Sequence, residues 1–195
     1  MKKFLLSVFV LLIATGCTAA NPLNVFVEAA ETAVEDRSGA DIKSDLRIKT
    51  SFLGDVLGEM PKDVIAISAD VYEQNVLLTG TVETAEHRQE AGRLVSNIKG
   101  VKSIINEILV IPEDAIKEKG AVRNFVDDSV IETKIQGLFL EHSGINVTNF
   151  RYRAVGGHVY LFGRALSQRE LSDALKVVRG INKVTGVTSH VFVRA

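Results

Sequence analysis

Val76-Leu77-Leu78-Thr79-Gly80-Thr81-Val82 returns 83 positions later as Val159-Tyr160-Leu161-Phe162-Gly163-Arg164-Ala165. Each stretch reads as a strand carrying a glycine near its end. The superposition runs without a gap from 76–110 onto 159–193, with eight of 35 positions identical. Many other positions exchange one apolar residue for another, such as Leu94 with Val177 and Ile108 with Val191. Self-similarity at a fixed spacing makes the chain two copies of one small unit. The copies span about 41–111 and 124–195, with a linker at 112–123.

Outward from the glycine strand, both copies give one order of elements. The first copy opens with a helical pattern, Ile42, Leu46, Lys49 and Leu53; the second opens with Ile131, Ile135 and Leu138. Ser129 and Glu132 have the spacing of a capping box, as do Ser167 and Glu170. Period-two strands follow: Ile65, Ile67, Ala69, Val71, and then Phe150, Tyr152, Ala154. Glu73-Gln74-Asn75 and Gly156-Gly157 read as hairpin turns. A second helix carries Ala91, Leu94, Val95, Ile98 in one copy and Leu171, Ala174, Leu175, Val178 in the other. Closing strands are expected at 104–111 and 187–193, and about six more residues separate opening helix from hairpin in the first copy. The fold class is α+β: two tandem αββαβ units, each a small three-stranded mixed sheet with two helices on one face. A unit of about 70 residues has a small core, so the copies are expected to stabilise each other.

The N-terminus reads as an address. Lys2 and Lys3 precede a ten-residue apolar run, 4–13, broken only by Ser7. This is half of the about 20 residues a bilayer span requires. Small residues follow, so 1–16 reads as a secretory signal peptide. Ile13-Ala14-Thr15-Gly16-Cys17 resembles the lipobox of bacterial lipoproteins, and Cys17 is the single cysteine of the chain. That resemblance implies cleavage before Cys17 and its acylation (palmitate among the chains), with Thr18 pointing to the outer membrane, periplasmic side. Residues 17–40 then form a lipidated tether.

Three stretches resemble the BON domain, the bacterial osmotically inducible and nodulation domain. Gly100-Val101-Lys102-Ser103-Ile104-Ile105-Asn106-Glu107-Ile108 is similar to its closing motif, and 76–82 to its central strand. Asp127-Asp128-Ser129-Val130-Ile131-Glu132-Thr133-Lys134-Ile135 is similar to its opening helix. The second copy has Lys183 and Ser189 where the motif has Gly and Asn. With the lipobox, the chain resembles a dual BON-domain lipoprotein. The resemblance implies a module associated with phospholipid that supports outer-membrane integrity.

No pattern for catalysis stands out. His87, His142, His158 and His190 lack metal-motif spacing, and there is no nucleophile elbow or phosphate loop. The expectation is no enzyme, no cofactor, no metal and no nucleic acid. Charge is more informative. The near-neutral chain, 23 basic against 24 acidic residues, divides into 41–111 at −3 and 121–195 at +4. A basic copy can meet an anionic lipid surface, at roughly 1 kcal/mol per Lys or Arg, or it can dock on the acidic copy. Arg151 and Arg153 flank Tyr152 and share one strand face, which makes them a candidate phosphate pair. By resemblance, Val130, Ile131, Lys134 and Leu138 form the candidate bilayer contact. The expected function is a lipid-anchored module for anionic phospholipid. The alternative is an adaptor for an envelope protein partner.

Overall fold

The computed structural model describes residues 35–63, 66–112 and 121–194, with side chains from 127 onward in the last stretch. The expected signal peptide, Cys17, most of the tether, Ile65 and much of the linker lie outside the described residues.

The first copy runs α1 (Gly39–Glu59), β1 (Ile67–Tyr72), β2 (Asn75–Val82), α2 (Ala85–Asn97), β3 (Ser103–Asn106) and β4 (Leu109–Val110). The second runs α3 (Ala121–Glu141), a 3-10 turn (Val147–Asn149), β5 (Phe150–Val155), β6 (His158–Ala165), α4 (Gln168–Arg179) and β7 (Gly186–Val193). In both, the hairpin is antiparallel and the closing strand pairs parallel with its second arm. The αββαβ order and the mixed sheets match the sequence expectation.

The repeat is tighter than the sequence indicates. Ile67 pairs with Gly80 and Phe150 with Gly163, so both sheets have one register, 83 residues apart. The expected six extra residues are absent: β1 and β5 start 83 apart, at Ile67 and Phe150. Three other expectations change. The buried face of α1 is Asp45, Ile48, Phe52 and Val56, one residue, or about 100°, round from the expected stripe, which leaves Leu46 and Leu53 half-exposed. In α3, Phe139 rather than Leu138 joins Ile131 and Ile135 in the core. Ser129 lies inside α3 rather than at its start, because the helix begins at Ala121.

The closing strand of the first copy is broken in two. Asn106 Oδ1 accepts from the Ile108 N–H at 3.2 Å and its Nδ2 donates to the Arg88 carbonyl at 2.9 Å. These bonds draw the chain off the ladder between β3 and β4. At the equivalent position Ser189 accepts from the Val191 N–H at 3.4 Å but has no amide to donate to the helix, and β7 continues through it.

Helices cover one face of each sheet. Ile48, Phe52, Leu94 and Val95 pack on Val71, Val76 and Leu78; Ile131, Ile135, Phe139 and Ala174 pack on Val159 and Leu161. The other faces meet each other. Tyr72, Leu77, Tyr160 and Phe162 form a third buried cluster, shared by the two copies, with Ile105 and Val155 packed against it. The molecule is therefore four layers, helix–sheet–sheet–helix. This explains why alternate residues on both sides of β2 and β6 are buried.

Candidate functional site

Two carboxylates hold the hairpins to the opening helices. Glu73 and Gln74 turn with φ of 50° and 65°, and Gly156 and Gly157 with 60° and 81°. Positive φ at both central residues defines the tight hairpin turn that matches strand twist. Asp45 Oδ2 and Oδ1 accept from the N–H groups of Glu73 and Gln74, each at 2.7 Å. Asp128 does the same for Gly156 and Gly157, each at 2.8 Å.

The six residues singled out for lipid contact do not form one site. Ile131 is 1 % exposed, inside the second core. Val130, Lys134 and Leu138 share an outward stripe of α3, with Val130 46 % and Leu138 40 % exposed. Arg151 and Arg153 lie on the far side of the sheet and face the first copy. Arg153 makes a two-pronged contact with Asp70, Nε to Oδ2 at 2.9 Å and Nη2 to Oδ1 at 3.1 Å. Arg151 Nη2 reaches Glu35 at 2.6 Å. As a phosphate pair the two are corrected by the structure: their guanidinium groups are held by carboxylates across the seam.

Further opposed charges meet at the seam. Arg164 pairs with Glu73 and with Asp36, which Arg194 also meets at 3.2 Å. His190 Nε2 lies 2.8 Å from Glu107. Residues 35–37, assigned to the tether from sequence, are part of this seam. Arg37 contacts Glu35 and donates to Asp45 at 2.5 Å, and its guanidinium sits 4.5 Å from the centre of the Tyr72 ring. The Asp36 N–H donates to Asn149 Oδ1 at 3.0 Å. The chain ahead of α1 thus ties both copies together.

Burial alone would push the Asp70 carboxyl up, but Arg153, with Lys49 and Arg151, outweighs it and holds the group below the ordinary range. Glu132 goes the other way: burial raises its carboxyl, and Arg153 and the Ala154 N–H offset this only in part. Burial pushes the Tyr72 hydroxyl up to about 12.

With four arginines of the second copy engaged at the seam, the helical layer keeps Lys134, Lys176 and Arg179 exposed. No hydrogen bond or ion pair involves these three side chains among the described residues. Three of its acids are engaged elsewhere: Asp128 holds a turn, Glu132 accepts from the Ala154 N–H at 2.9 Å, and Glu170 accepts from the N–H groups of Asn146 and Leu166. Lys176 and Arg179 were missed in sequence because counting charge over a copy does not show which arginines are spent. Among the described residues, no group of three His, Cys, Asp or Glu could hold a metal, and no helix is long and apolar enough to cross a membrane.

Comparison with known proteins agrees with the repeat. The model of the BON domain matches residues 44–112 and 127–195. An uncharacterised protein from the gshII 5′ region of Anaplasma centrale is 35% identical over 126 residues, 65% of this chain and 80% of that one. Osmotically-inducible protein Y of Escherichia coli is 34% identical over 73 residues, 37% of this chain and 36% of its own length. Outer membrane lipoprotein DolP of Haemophilus influenzae is 22% identical over 97% of this chain and 96% of its own.

Proposed function

Given that the chain belongs to the BON-domain family and carries two copies of the domain, we propose that it is a lipid-anchored, non-catalytic module of the outer membrane's periplasmic side. Its ligand is anionic phospholipid, and its role is to support the envelope. The observation that carries this reading is the exposed α3 stripe of Val130, Lys134 and Leu138 on the layer that also exposes Lys176 and Arg179. Apolar side chains beside exposed cations suit an interface where acyl chains meet anionic head groups. Three such cations, at roughly 1 kcal/mol each, give an affinity gain of about 100-fold on an anionic surface. The name of the DolP relative, which spans nearly the same length, supports the location. Cys17 is the proposed acylation site, and it keeps the second domain within reach of the bilayer.

The test is flotation of the chain from Thr18 to Ala195 with vesicles of phosphatidylglycerol in phosphatidylcholine, against phosphatidylcholine alone. Binding to the anionic vesicles only, reduced severely by K134E/K176E/R179E, is expected. Binding that ignores both lipid charge and these substitutions would overturn the reading.

A second reading, an adaptor for an envelope protein, has its own observation. Leu46, Leu53 and Leu57 stand more than half exposed along α1, on the layer opposite the basic one. Crosslinking in cells from α1 to one stoichiometric protein, with no vesicle binding, would favour it.

A further inference from the structure

Two side-chain pairs at the seam have an unusual address. Asp70 and Arg153 are the same position in the two copies, 83 residues apart, and they bind each other. Glu107 and His190 are also equivalent, also 83 apart, and also meet. β1 lies over β6 while β2 lies over β5, the reciprocal arrangement of an isologous interface. Residues that touch their own equivalents lie on or near a two-fold axis. The two copies are therefore related by a pseudo-dyad that passes between the sheets and through both pairs.

On a true dyad each of these positions would meet a copy of itself. Two first domains would oppose Asp70 to Asp70 and Glu107 to Glu107. Two second domains would oppose Arg153 to Arg153. Like charges brought together in a desolvated seam are strongly unfavourable, and only the mixed pairing cancels them. Side-chain size follows the same rule. Leu77 is equivalent to Tyr160, Thr79 to Phe162 and Tyr72 to Val155, so each position offers one large and one smaller side chain. A pair of second domains would bring two Tyr160 and two Phe162 into one cluster, and overpacking of that kind is destabilising.

We infer that the two sheet faces form a matched, self-excluding pair: each domain accepts the other and rejects its own copy, through the opposite charges of the repeat-equivalent Asp70 and Arg153 and the unequal side-chain sizes around them. The interaction surface is the outer face of each sheet, and its fitted partner is the unlike BON domain of the same chain. Two domains of one fold, each with an exposed sheet face, would otherwise cross-associate between molecules crowded on a membrane. The charge inversion directs the pairing inward.

The experiment uses the chain from Thr18 to Ala195, which keeps every described residue. D70R opposes two guanidinium groups within one chain, and R153E opposes two carboxylates. Each variant alone is expected to lose about 10 °C or more of Tm and to remain monomeric. The double variant D70R/R153E restores opposite charge and is expected to recover at least half of that loss, the remainder reflecting Lys49 and Glu132 nearby. An equimolar mixture of the single variants at about 100 μM is expected to form a 1:1 dimer by exchanging domains. In that dimer one seam has the native pair and the other its reverse. Single variants with unchanged Tm, a double variant that recovers nothing, or a mixture that stays monomeric would each overturn the inference.

Discussion

Asp45 and Asp128 perform the same task in the two domains, each accepting a pair of hairpin N–H groups with its two carboxylate oxygens. Their settings differ. Asp45 is buried and also takes Arg37 at 2.5 Å, whereas Asp128 serves glycines at a more open turn. Glu73 and Gln74 carry Cβ atoms in a left-handed conformation that costs roughly 1–2 kcal/mol per residue, and Asp45 holds them there. D45A therefore strands two N–H groups and takes one of two carboxylate partners from Arg37, with an expected loss of about 3–4 kcal/mol. D128A should cost about 1–2 kcal/mol, since glycine bears no such strain. Urea denaturation of both variants measures the difference.

Gly80 and Gly163 have φ of 118° and 110°, and a Cβ there would lie 1.9 Å from the Ala66 carbonyl oxygen and 2.1 Å from that of Asn149. The obstacle is backbone, which cannot rotate away. G80A or G163A should therefore prevent its own domain from folding, a loss of more than about 4 kcal/mol. G156A has open space around the new methyl and only its φ to resist it, so it should cost about 1 kcal/mol. Proton NMR dispersion of the three variants separates the cases.

Tyr72 sits at 0 % exposure between the sheets, and among the described residues its hydroxyl has no hydrogen-bond partner. An unpaired buried hydroxyl costs free energy, while the ring supplies most of the packing. Y72F should thus be neutral or stabilising by up to about 1 kcal/mol, and Y72A should lose about 3–5 kcal/mol. Thermal melts followed by circular dichroism check both signs.

Asp70 links the seam to acid. Its carboxyl titrates lower in the folded chain than in the unfolded one, because Arg153 outweighs burial. The stability it contributes is fully present above the unfolded value of about 3.9 and is lost as pH falls through the lower folded value. Glu132, held higher in the fold, acts in the opposite sense: its contribution is present below about 4.3 and is lost as pH rises through its folded value. D70N should therefore be less stable than the parent chain at pH 7. That gap should narrow steadily below about pH 4. Denaturant titrations between pH 2.5 and 7 record it.

Much of the architecture was legible in the sequence for plain reasons. Gly80 and Gly163 mark a backbone position, shared by both copies, where a side chain cannot stand, and the apolar pattern repeated around them at a fixed spacing. Gly156-Gly157 identified its turn, while Glu73-Gln74 did so through position alone. The face of α1 was misread because Leu46 and Leu53 are as apolar as Ile48 and Phe52. The deciding residue was Asp45, a carboxylate whose inward place depends on a turn 28 residues away.

Two copies of one αββαβ unit, their opposite charges, and the strand face shared by Arg151 and Arg153 can all be read from the order of residues. Alternation along a strand and period along a helix are local properties, so they are written in neighbouring residues. What that strand face meets depends on how the two sheets pack. Arg153 finds Asp70 and Arg151 finds Glu35 through a pairing of sheets that no local pattern encodes. That choice removed the arginines from the candidate lipid surface and left it to Lys134, Lys176 and Arg179. A charge in sequence is only available until the fold brings its counter-charge to it.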